Sequence, residues 1–170
     1  MIQKKICFFI VMVFAQHLAN AQKELKNTTK VDYSGFLEIS KELMAYRASR
    51  LISIETFNAY STEDDTIILD TRSKKAYDQI HIKGAIHLNF SDFTKTALSK
   101  KIAAKNSRIL IYCNNNIQSS KEALMNKMRP LALNIPTFIN LYAYGYKNVY
   151  ELKGYLAEDD QRLAFQSITD

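Results

Sequence analysis

The chain has 170 residues, a formal net charge of +6, four glycines, two cysteines and no tryptophan. Acidic and basic residues alternate along it, and no basic stripe is interleaved with aromatics, which argues against a nucleic-acid partner. No His, Cys, Asp or Glu cluster has metal-ligand spacing and no glycine-rich phosphate loop occurs, so neither a metal nor a cofactor is expected.

The first residues read as a signal peptide. Lys4 and Lys5 form a charged start, residues 6–14 an apolar run, and Ala19-Asn20-Ala21 a small-x-small cleavage site before Gln22. The run is too short to span a bilayer, which takes roughly 20 residues. No later stretch reads as a transmembrane helix, so stable membrane insertion is not expected. Cleavage after Ala21 would remove Cys7 and leave about 149 residues, enough for one domain with its own core. The expectation is a periplasmic or secreted protein with three parts: a signal peptide over 1–21, a lead-in and helix over 22–48, and one domain over 49–170.

Residues 33–47 carry Phe36, Ile39, Leu43 and Tyr46 at the spacing of an amphipathic helix. Leu51-Ile52 fits a short strand, and Ser53 caps a helix running through Phe57 and Tyr60. Thr66-Ile67-Ile68-Leu69-Asp70 is a continuous apolar run ending on a carboxylate, as in a strand buried on both faces. A short helix over 73–77 follows, then a strand over 84–88 entered through Gly84, and a helix over 92–104. Residues 107–112 form the most pronounced strand pattern. Two helices are predicted at 119–128 and 136–144, then a strand at 148–152 and a terminal helix at 156–165. Strands alternating with helices imply an α/β domain with a mainly parallel sheet, whose ligands bind beyond the carboxyl ends of the strands. Asp70 and Cys113 both fall at such ends.

Cys113 would be the single cysteine of the processed chain, and an unpaired thiol in an oxidising compartment is either buried or used. It separates a buried strand from a polar tract leading into a helical pattern. Backbone N–H groups and the positive end of a helix dipole at such a place favour thiolate.

Three blocks of residues resemble the rhodanese-like (sulfurtransferase) domain. Leu69-Asp70-Thr71-Arg72, Tyr77 and His81-Ile82-Lys83-Gly84-Ala85-Ile86-His87-Leu88 are similar to the family's D-x-R…Y…G-H-I-x-G-A-I-N pattern. Ile109-Leu110-Ile111-Tyr112-Cys113 is similar to the strand leading to the catalytic cysteine, and Tyr144-Gly145-Tyr146-Lys147-Asn148-Val149-Tyr150-Glu151-Leu152-Lys153-Gly154 to the closing G-[FY]-x-x-V-x-x-L-x-G segment. The resemblance implies a three-layer α/β sandwich with a central, mainly parallel sheet flanked by helices. It implies that Cys113 carries sulfane sulfur as a persulfide from a small sulfur donor to a thiol or other nucleophilic acceptor. The backbone amides of Asn114, Asn115, Asn116, Ile117, Gln118 and Ser119 would hold the transferred sulfur as an anion-binding nest. Asp70 and Arg72 are secondary candidates, with an ion pair as their simplest role. His81 and His87 read as structural.

The tract Cys113-Asn114-Asn115-Asn116-Ile117-Gln118-Ser119 departs from the family's C-x-x-G-x-R-S loop. Asn116 stands at the glycine position and tolerates left-handed backbone. Gln118 stands at the arginine position and keeps hydrogen bonding without a fixed charge, so thiosulfate is expected to be a poor donor. Residues 129–141 look inserted behind a loop helix. The alternative reading is a non-catalytic binding or regulatory module with a protein partner. A thiol-redox role through a mixed disulfide is the third.

Overall fold

A computed structural model describes residues 30–168. The signal-peptide segment and most of the lead-in lie outside the described residues. The chain divides between Glu38 and Ile39 into two compact units. Residues 30–38 of the first hold the start of helix α1 (Tyr33–Ala48), and the larger unit holds its remainder and everything that follows. No helix among the described residues is long and apolar enough to cross a membrane.

The larger unit is built on a five-stranded sheet in the order β1-β7-β5-β2-β4. These strands are β1 (Leu51–Ile52), β2 (Thr66–Asp70), β4 (Ile86–His87), β5 (Arg108–Ile111) and β7 (Val149–Leu152), and every neighbouring pair is parallel. Two-residue ribbons complete the strands: β3 (His81–Ile82) runs antiparallel to β9 (Phe165–Gln166), and β6 (Ile117–Gln118) runs parallel to β8 (Leu156–Ala157). The helices are α2 (Ile54–Ser61), α3 (Lys74–Gln79), α4 (Lys95–Lys101) and α5 (Asn134–Ala143).

The period of two in the strands separates two cores, one on each face of the sheet. Leu69, Ile109, Ile111 and Val149 face Leu43, Leu98, Ile102, Phe138 and Leu141. Ile68, Leu110, Tyr112 and Leu152 face Ile54, Phe57, Tyr77, Ile117 and Leu124. Both faces of β2 and β5 are covered, which is why their sequences are unbroken apolar runs. The fold is therefore the α/β class expected, with a central parallel sheet between helices.

Local chemistry sets the helix ends. Ser53, Ser73 and Thr94 each accept a hydrogen bond from the backbone N–H three residues on, which starts α2, α3 and α4. Pro136 lies in the first turn of α5, where a missing N–H costs no helical bond. Gly145 ends α5 with φ of 89°, and the N–H groups of Gly145 and Tyr146 close back on Tyr142 and Leu141.

Two predicted helices are absent. Residues 119–128 form bends and one 3-10 turn at Glu122–Leu124. Of their apolar side chains only Leu124 is buried, while Met125 and Met128 are exposed, so one anchor cannot hold an amphipathic helix. Residues 156–165 contain β8, turns and the start of β9 instead of a terminal helix. The helix expected over 92–104 is shorter, α4 preceded by a 3-10 turn at Phe90–Asp92.

Ile109 is fully buried at the centre of the sheet. Ile109→Ala is expected to cost about 2–5 kcal/mol in urea unfolding, with the midpoint lowered and the slope unchanged.

Candidate functional site

Cys113 lies two residues past the end of β5 and is 2% exposed. Its backbone N–H donates to Asn116 Oδ1 at 3.0 Å, and its carbonyl accepts from the Asn116 N–H at 3.0 Å. This reciprocal pair turns the chain through one 3-10 turn, Asn114–Asn116, into β6. Backbone N–H groups of Asn134, Asn115 and Leu133 are directed at the sulfur. Two of the three belong to the start of α5, twenty residues downstream. The helix dipole expected beside the thiol is therefore present, but it comes from α5 rather than from residues 119–128.

The stretch 129–141, expected as an insertion, holds a 3-10 turn and most of α5, and the segment 119–133 forms a long loop between the cysteine and that helix. Asn114 and Asn115 fasten the loop down. Asn114 Nδ2 donates to the Met125 carbonyl at 2.9 Å. Asn115 donates from Nδ2 to the Lys127 carbonyl at 2.7 Å and accepts the Lys127 N–H at 3.2 Å. Of these groups the Lys127 N–H is one that a helix over 119–128 would have used internally, while the two carbonyls lie in its last turn.

The start of α5 is anchored from three sides. Thr137 Oγ1 meets Thr71 Oγ1, just past β2, at 2.9 Å. Asn134 Nδ2 donates to Asn116 Oδ1 at 2.9 Å and to Glu151 Oε1 at 3.2 Å. Asn116 Nδ2 in turn donates to the Leu152 carbonyl at 2.7 Å.

Arg72 is buried beside this arrangement. Its Nε and Nη2 grip Asp70, with Nη2–Oδ2 at 2.6 Å. Nη1 donates to Asn114 Oδ1 and the Ala123 carbonyl, and Nη2 also to the Ile80 carbonyl. Tyr112 Oη donates to Asp70 Oδ2 at 2.5 Å and accepts the Ile82 N–H. Burial beside the Asp70 carboxylate pushes the Tyr112 hydroxyl well above its usual range.

A cavity of about 300 Å³ opens onto Cys113, with Thr71, Arg72, Asn114, Asn115, Glu122 and Lys127 among its lining residues. Of the residues singled out from sequence, Cys113, Asn114, Asn115 and Arg72 line it. Asp70 stands behind Arg72. Asn116 is buried as a brace, Ile117 points into the core, and Gln118 and Ser119 lie outside the lining. Ile117 and Gln118 pair with β8, and the Ser119 hydroxyl bonds Glu158. Strand pairing thus turns that part of the backbone away from the sulfur. His81 is fully buried, stacked on Tyr77, with Nδ1 on the Tyr77 carbonyl and Nε2 on Gln166. His87 Nε2 meets the Arg72 carbonyl.

Sequence reasoning missed Leu133, Asn134 and Lys127. Pro136 was the available signal, since proline near a helix start places that start a residue or two upstream.

Burial pushes the Cys113 thiol up from its ordinary range, and the three N–H groups oppose it. Glu151 adds to the upward shift. Desolvation therefore outweighs the amides, so burial works against the thiolate that the sequence pattern favours.

Among known proteins, a family model described as "Rhodanese-like domain" matches residues 53–158. The tRNA uridine(34) hydroxylases of Streptococcus sanguinis and Streptococcus suis are each 29% identical over 73 residues, covering 41% of this chain and 22% of theirs. The chain thus spans about a fifth of the length of these curated relatives. A solved structure of the Alr3790 protein from Anabaena sp. is 20% identical, covering 70% of this chain and 94% of that one, with a TM-score of 0.46. A rhodanese with anions from E. coli is 22% identical, covering 60% of this chain and 98% of that one, with a TM-score of 0.40.

Because the thiol is raised, native Cys113 is expected to react with iodoacetamide several-fold more slowly at neutral pH than the urea-unfolded chain. Its rate should keep climbing with pH beyond about 8.5, the ordinary thiol value. Comparing wild type with Cys113→Ser isolates this rate from that of Cys7.

Proposed function

The chain belongs to the rhodanese-like domain family, and we propose that it is a sulfurtransferase in which Cys113 carries sulfane sulfur as a persulfide. The observation that carries this reading is the convergence of three backbone N–H groups on the sulfur of Cys113, at the wall of a cavity large enough for a small donor. Such N–H groups stabilise negative charge on sulfur without a metal.

In the first half-reaction the Cys113 thiolate attacks the outer sulfur of the donor. A sulfur–sulfur bond forms on Cys113, the donor's own bond to that sulfur breaks, and the remainder leaves with the electron pair. The proton lost by the thiol passes to solvent or to the departing group. In the second half-reaction an acceptor thiolate attacks the outer sulfur and Cys113 leaves as thiolate. The amides of Leu133, Asn134 and Asn115 face the sulfur throughout.

Donor preference follows from the cations. The Arg72 guanidinium is committed to Asp70, Asn114 and two carbonyls, and Gln118 is outside the cavity lining. Lys127 supplies the ammonium at the wall, with Glu122 on the same wall. One ammonium on a flexible stem suits a singly charged persulfide or polysulfide better than the several oxygens of thiosulfate, for which a bidentate fork is the fitting partner. Thiosulfate is therefore a poor donor in this reading.

Burial of the thiol favours a second reading, a rhodanese-like module that binds a partner or anion without turnover. The same compartment is proposed for both. The charged, apolar and small-residue pattern ending at Ala21 supports export to a periplasmic or extracellular space, where a lone thiol is either shielded or employed.

Incubating the protein with a polysulfide, a glutathione persulfide or thiosulfate and weighing it intact tests the main reading. A gain of one sulfur from the first two donors, absent in Cys113→Ser, is expected. Lys127→Ala should slow loading from the anionic donors by about one to two decades, the worth of a charge-assisted hydrogen bond of roughly 1.5–3 kcal/mol. No adduct from any donor, with the folded protein intact, favours the binding module. N-terminal sequencing of protein recovered from cells checks export separately, with Gln22 expected as the first residue.

A further inference from the structure

Glu151 is a nearly buried carboxylate on β7, with 6% of its side chain exposed. Its partners lie on two sides. Arg47, on α1, donates from Nε to Oε2 at 2.6 Å and from Nη2 to Oε1 at 2.5 Å, a two-point grip. Asn134 Nδ2 donates to Oε1 at 3.2 Å. The second hydrogen of that amide goes to Asn116 Oδ1, which also takes the Cys113 N–H. A continuous polar chain therefore runs from Arg47 through Glu151, Asn134 and Asn116 to the backbone of Cys113. Both donor sites of the Asn134 amide are used, so its orientation is fixed by these acceptors.

Glu151 has two opposed effects on the thiol. By holding Asn134 it fixes the first turn of α5, whose N–H groups face the sulfur. As a negative charge near Cys113 it disfavours thiolate. A buried carboxylate without a counter-ion is costly as well. Arg47 supplies the counter-ion and so reduces both costs, and it lies outside residues 53–158, the part matched by the family model.

We propose that Arg47 is a positioning residue for Cys113: it offsets part of the Glu151 charge, so that this carboxylate braces the start of α5 while opposing ionisation of the thiol less than it would alone. The inference rests on Cys113 being the reactive group. Other charged groups near the sulfur are Arg72 with its partner Asp70 beyond β2, and Lys127 and Glu122 from the loop before α5. None of these contacts Arg47 or Glu151 in the hydrogen bonds and ion pairs described. The helix α1 thus contributes to the chemistry of a site whose other parts all come from the matched domain.

Ionisation of Cys113 is read directly from thiolate absorbance during a pH titration of the full chain, with Cys113→Ser as the blank that removes Cys7 and the tyrosines. Arg47→Met is expected to move the Cys113 midpoint upward by roughly one unit. Glu151→Gln, which keeps an acceptor for Asn134, is expected to move it downward. Arg47→Lys should restore most of the wild-type midpoint. Opposite shifts from the first two variants support the proposal. Shifts in the same direction, or no shift in either with native circular dichroism, overturn it. Should Arg47→Met fail to fold, Glu151→Gln decides alone, and an unmoved or raised midpoint there is contradictory. The titration involves no sulfur transfer, so its failure is distinguishable from failure of the sulfurtransferase reading.

Discussion

Arg72 is the side chain on which the site depends. A buried guanidinium is costly unless its charge is matched and its N–H groups are occupied. Asp70 supplies the charge, and Asn114, Ala123 and Ile80 supply the remaining acceptors. The cation thereby joins the end of β2, the approach to β3, the residue after the cysteine and the loop before α5. Tyr112, immediately before the cysteine, adds its hydroxyl to the same carboxylate. The cysteine loop is shaped by this internal salt bridge, and the Arg72 charge is consumed in shaping it.

The second constraint is the long excursion between Cys113 and α5. It hides the sulfur and lets a distant helix deliver its first N–H groups. These two consequences oppose each other. Burial favours the neutral thiol, whereas the amides of Leu133 and Asn134 favour the anion, and burial prevails in the closed structure. In the proposed persulfide, the same amides would act on the charge that the outer sulfur carries. The loop before α5 is held chiefly by side-chain amides of Asn114 and Asn115 rather than by a packed core, with Leu124 as its buried anchor between residues 119 and 128.

Much of this was legible in the residues and some was not. The strands β2 and β5 carry apolar runs whose burial leaves little freedom, and the capping residues Ser53, Ser73 and Thr94 mark their helices by local hydrogen bonding alone. Cys113 at a strand end and the Asp70–Arg72 pair followed from the same logic. The tract Lys121-Glu122-Ala123-Leu124-Met125 has good helix formers but only a 3-10 turn, because Leu124 alone of its apolar residues is buried and Asn114 and Asn115 hold Met125 and Lys127 in the loop. Those are contacts between segments about a dozen residues apart, and no local pattern encodes them. For the same reason no local pattern shows that the amides of Asn115 and Asn116 are joined at the sulfur by those of Leu133 and Asn134 at the start of α5. The missing loop arginine drew attention to Gln118, which β6 carries away from the cavity, while the ammonium of Lys127 went unnoticed.

In the proposed reaction the N-terminus of α5 receives the charge of the transferred sulfur. Amide NMR of the protein before and after polysulfide loading tests it most directly. The account predicts that the N–H signals of Leu133, Asn134 and Asn115 move most, and that none of them moves in Cys113→Ser. Loading of Cys113 with those three signals unchanged and the amides of Ile117, Gln118 and Ser119 displaced would contradict it.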